Sequence, residues 1–77
     1  MQIKVTLHSI LCELLPAENR GVATLDIVPG TTLADVSDRL GIKGRVIFTV
    51  NGKVVTESAS RLHAGDDVQV YVSVHGG

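Results

Sequence analysis

Apolar and polar positions alternate along this chain at two different periods. In "MQIKVTL", Ile3, Val5 and Leu7 fall on one face and Gln2, Lys4 and Thr6 on the other, the period-2 mark of a half-buried strand. "HSILCELLPAENRG" changes period: Ile10, Leu11, Leu14 and Leu15 cluster at helical spacing until Pro16 stops them, predicting a short helix or turn and then a polar loop. "VATLDIV" alternates again through Ala23, Leu25 and Ile27 and ends at Pro29-Gly30, a second strand expected antiparallel to the first. "TTLADVSDRLG" reads as the clearest helix. Thr32 caps it, Asp35 takes the capping-box position, Leu33, Val36 and Leu40 share a face, and Gly41 suits the C-terminal stop. In "RVIFTVNGKVV", Asn51-Gly52 between two apolar runs signals a hairpin with a type I′ turn. "LHAGDDVQVYVSV" turns at Gly65-Asp66 and enters a last strand. There Val68, Val70, Val72 and Val74 share one face, with Gln69, Tyr71 and Ser73 opposite.

The order strand, strand, helix, hairpin, strand predicts an α+β domain of two layers. One amphipathic helix covers one face of a sheet, so the other face meets water or a partner. The 77 residues make a single domain, 1–77, with a modest core and little room for a large cavity. Lys+Arg number 7 against Asp+Glu 8, a net charge of -1, which argues against nucleic acid or an anionic membrane as main partner, since both reward a concentrated basic patch. Cys12 is the single cysteine and has no internal disulfide partner, the N-terminus lacks a secretory-signal pattern, and no apolar run approaches the roughly 20 residues of a membrane helix. The expected location is the cytoplasm.

The element order, the "NG" hairpin, the "LHAGDDV" turn from Leu62 to Val68 and the closing "VSVHGG" together resemble the MoaD/ThiS family of ubiquitin-like sulfur carriers, over the whole chain. The resemblance implies a ubiquitin-like β-grasp fold, with a mixed four- to five-stranded sheet and one main helix packed on one face. It also gives meaning to Gly76-Gly77, a pair expected by chance at those two positions about once in two hundred chains. A frayed terminus is the plain alternative. Residues 75–77 are expected to form a flexible tail of about 10 Å when extended, and glycines let its backbone pass where side chains would collide.

On this resemblance the α-carboxylate of Gly77 is the reacting group, with Gly76 and His75 in the partner's channel. An E1-like enzyme would adenylate the carboxylate with ATP, and a sulfur donor would displace AMP to leave a thiocarboxylate for a sulfur-accepting synthase. The chain itself would bind no cofactor or metal. It would be a carrier or the small subunit of a synthase rather than an enzyme, consistent with the lack of a Walker-type glycine loop. The insertion from Ser9 to Leu15 resembles the MoaD side, so molybdopterin formation is favoured over the ThiS-like formation of thiamine thiazole. Carried over by position, the family's partner-facing patch falls on His8, Val54 and Tyr71, with His8 departing from the bulky apolar residue expected there.

Other readings compete. His8 and Cys12, four apart, could share a helical face and invite a metal or thiol chemistry; two ligands do not close a zinc site, and a free cysteine is more often a small buried hydrophobe. His63 is isolated in sequence, and His75 reads equally as a solvated linker residue. Asp66 and Asp67 are expected to hydrogen-bond their own turn rather than hold a cation. A ubiquitin-like binding module that is never activated, and a thiol-dependent catalyst using Cys12, remain the alternatives in other classes.

Overall fold

The computed structural model describes residues 1–73. Val74 and the tail residues His75, Gly76 and Gly77, which carry the expected tail and reacting carboxylate, lie outside the described residues.

Five strands form one mixed sheet: β1 (Gln2–Leu7), β2 (Val22–Asp26), β3 (Val46–Val50), β4 (Lys53–Val55) and β5 (Asp67–Val72), in the order β2-β1-β5-β3-β4. β1 and β2 pair antiparallel, as the two alternating runs predict. The last strand enters the middle of the sheet, parallel to β1 and antiparallel to β3. That position explains the valine row: Val68 and Val70 are fully buried, because a central strand covered by a helix has no solvent on that face.

The helix α1 (Leu33–Leu40) begins at Thr32, whose hydroxyl accepts from the Asp35 N–H at 3.2 Å while the Asp35 carboxylate accepts from the Thr32 N–H at 3.0 Å. Gly41, at φ 74°, ends it in the left-handed conformation that a side chain would disfavour. Two more N-terminal N–H groups, of Leu33 and Ala34, donate to the carbonyls of Ser60 and Ser58, so the loop before β5 seals the helix start. Leu33 and Val36 then pack on Ile3, Val5, Leu7, Ala23, Leu25, Val68 and Val70, forming one core between helix and sheet. Ile42 and Leu62, from loops with no periodic pattern, are buried with them.

The segment after β1 differs from its expectation. It is a 3-10 helix (Ser9–Leu14), entered through Ser9 at φ 56°, followed by a second short 3-10 turn (Ala17–Asn19). Of its apolar residues Leu11 is buried and Leu15 packs partly on the core, while Ile10 and Leu14 face solvent. Three residues per turn replace the 3.6 that the spacing implies, so the four leucine and isoleucine side chains do not gather on one face. Among the described residues no helix is long and apolar enough to cross a membrane.

Candidate functional site

The face of the sheet away from α1 carries the side chains of opposite parity to the core. Strand pairing aligns them into rows. One row runs Val54, Thr49, Gln69, Thr6, Val22 across all five strands; the next places Ile47 of β3 opposite Tyr71 of β5. His8 follows directly after β1, its N–H bonded to the Val70 carbonyl at 3.0 Å, and so stands beside Tyr71 on the other side. His8, Tyr71 and Ile47 therefore form a contiguous group at the end of the sheet where β5 stops.

All three patch residues expected from the sequence lie on this face. Tyr71 is outward and 37% exposed, and Val54 is 66% exposed on the edge strand β4. His8 is half-buried, and its ring lies flat on that of Tyr71, centroids 4.3 Å apart and planes within 3°. Where a bulky apolar residue was expected, the fold has an imidazole lying flat on an aromatic ring. Val54 lies across β3 from Tyr71 and lines an apolar groove with Ile47, so the structure joins His8 and Tyr71 directly and reaches Val54 only through Ile47.

Two residues of the face have no role that the sequence pattern assigns. Ile47, 39% exposed, is opposite Tyr71; its direction is hidden in "VIFTV", where apolar residues occupy both faces and alternation gives no signal. Gln69 alternates with the valines and so faces away from the core, but its bonds need tertiary contact: Oε1 lies 2.8 Å from His8 Nε2 and accepts the Tyr71 hydroxyl at 2.9 Å.

The competing constellations come apart. His8 is extended, ahead of the 3-10 helix, with its ring turned to Gln69 and Tyr71. Cys12 lines a separate open groove with Glu13, Leu15, Pro16 and Ala17. The two share no face, and Cys12 is exposed rather than buried, because the 3-10 turn aims it away from the core. Among the described residues no group of three or more His, Cys, Asp or Glu side chains is placed to hold a metal ion. Asp66 is buried and structural: its Oδ2 accepts the His63 N–H at 2.7 Å and its Oδ1 accepts from Asn51 Nδ2 at 2.9 Å. This is the turn-forming role expected of an aspartate there.

The sequence matches no family model and no curated relative. The structure, however, is similar to that of SAMP1 from Haloferax volcanii, with a TM-score of 0.76 and 18% sequence identity over 100% of both chains. A second structure, of H. volcanii small archaeal modifier protein 1, gives a TM-score of 0.76 at 17% identity, covering 95% of this chain and 98% of that one. The fold is a ubiquitin-like β-grasp. At this identity the likeness establishes the architecture, with the mixed sheet and single main helix that the sequence implies.

Proposed function

We propose that this chain is a ubiquitin-like sulfur carrier or modifier whose Gly77 carboxylate is activated by an E1-like partner enzyme. The reading is carried by one juxtaposition: in a β-grasp fold shared along the whole chain with proteins described as small modifiers, the central strand β5 is followed within five residues by Gly76-Gly77. A carboxylate is a poor acyl electrophile. ATP on the partner converts it to an acyl-adenylate with release of pyrophosphate; a sulfur donor then forms the C–S bond as the C–O bond to AMP breaks. This chain supplies the acyl terminus and the docking surface, and the ATP site belongs to the partner. An amine in place of the sulfur donor gives an isopeptide from the same adenylate, a second reading favoured by the neighbours' description as modifiers.

The open face near the end of β5 is the surface that the adenylating enzyme covers. Residues 73–77 span at most about 18 Å when extended, so an enzyme closed around Gly77 stands within that distance of Val72. Tyr71 and Ile47 are exposed at that end, with the half-buried His8 ring stacked on Tyr71, and aromatic residues of this kind anchor interfaces. The insertion after β1 supports molybdopterin formation as the first acceptor pathway to test and thiamine thiazole formation as the second.

Intact mass measurement on the protein from its native cells tests the activation. Exchange of oxygen for sulfur at Gly77 adds about 16 Da, and fragmentation must place the increment at the terminus, because oxidation of Cys12 to a sulfenic acid adds a similar mass. Deleting Gly77 is expected to abolish ATP–pyrophosphate exchange with the E1-like enzyme of those cells. Exchange at the full rate without Gly77 refutes the proposal and leaves a binding module.

A further inference from the structure

Gln69 sits half-buried on the open face between Thr6 of β1 and Thr49 of β3. Its side-chain carbonyl is the meeting point of two neighbours, His8 Nε2 at 2.8 Å and the Tyr71 hydroxyl at 2.9 Å. A carbonyl oxygen has two lone pairs and no proton, so one atom accepts from both rings when His8 carries its ring proton on Nε2. The two rings that meet at that acceptor lie parallel, with their centroids 4.3 Å apart. The backbone does not hold His8 alone: the next residue, Ser9, is left-handed at φ 56°, a conformation a serine adopts at a cost, and the chain turns away there into the 3-10 helix.

We infer that Gln69 is a positioning residue for partner docking, a clamp that makes His8 and Tyr71 one rigid aromatic plate beside Ile47. The inference rests on the docking role given to this face above. Without the acceptor, both rings regain rotamer freedom that docking must remove again, and the Tyr71 hydroxyl is left to seek another partner. The expected consequence falls on association and not on the chemistry at the Gly77 carboxylate.

The test measures ATP–pyrophosphate exchange by the E1-like enzyme of the source cells with this chain as varied substrate. Gln69→Leu removes the acceptor and is expected to raise KM about fivefold to tenfold with kcat unchanged. Gln69→Glu keeps an acceptor oxygen at the same place, with a second oxygen in place of the amide nitrogen, and is expected to restore KM to within about twofold of the parent. Nitrogen-15 spectra of the His8 ring should report the Nε2–H form in the parent and in Gln69→Glu, and a mixed population in Gln69→Leu. A parent that turns over while Gln69→Leu shows the parent's KM overturns the inference alone. A fall in kcat for Gln69→Leu with KM unchanged also overturns it, since positioning for docking predicts the opposite split. If the parent itself supports no exchange, the docking reading fails and this inference with it.

Discussion

Asn51 does two jobs that a residue-by-residue reading separates. As the first central residue of the β3–β4 hairpin it holds φ 52°, the left-handed state that asparagine tolerates and that Asn-Gly signals in the sequence. Its side chain then reaches the turn before β5, donating to Asp66 Oδ1 and accepting the Asp67 N–H, each at 2.9 Å. The turn was legible; the clamp was not, because the two segments are 15 residues apart and meet only when β5 enters the sheet beside β3. Asn51→Gly separates the roles, since glycine accepts the same φ but makes no side-chain bond. It leaves Oδ1 of the buried Asp66 without this donor, so the expected loss is about 2 kcal/mol in urea unfolding, with the hairpin register intact by NMR. A loss below about 0.5 kcal/mol would show that water replaces the clamp without cost.

At the scale of elements, the capping box of α1 follows the same logic from a stronger signal. Thr32→Ala removes one hydroxyl acceptor and leaves the Asp35 N–H to water, an expected cost of about 1 kcal/mol read as a lower urea midpoint at unchanged m-value. The loss stays that small because Leu33 and Ala34 keep their bonds to Ser60 and Ser58. Thr32→Ser should recover most of it. What made α1, β1, β2 and the hairpin readable is that each carries its own instructions: period, cap and turn residues within a dozen positions. The 3-10 segment carries none of that kind, since its geometry depends on Ser9 in a left-handed conformation and on Leu11 alone reaching the core. Ile42 and Leu62 escaped for a related reason: they are core residues fixed by where their loops cross the helix layer, and no periodicity announces them.

Across the whole molecule, the helix decides which face of the sheet is free, and strand order decides what that face presents. The sequence put His8, Val54 and Tyr71 on the free side through a family resemblance, yet it had no means of ranking them, because their distances depend on β5 lying between β1 and β3. In the fold Ile47 is opposite Tyr71 on the adjacent strand, whereas Val54 is in the row of Gln69 and two strand spacings away from it, about 10 Å. Lysine substitutions turn that ranking into a measurement. Ile47→Lys and Val54→Lys both place a flexible cation on a solvent-facing strand position, so each is expected to shift stability by no more than about 1 kcal/mol. Under the proposed activation their effects on the E1-like enzyme should differ: Ile47→Lys interrupts the apolar surface at the end of β5 and should raise KM at least about tenfold, while Val54→Lys, farther from Tyr71, should raise it less than about threefold. The opposite order, with Val54 dominant, would move the proposed centre of docking away from Tyr71 toward the β4 edge, along the apolar groove that Val54 shares with Val46, Ile47, Phe48 and Val55.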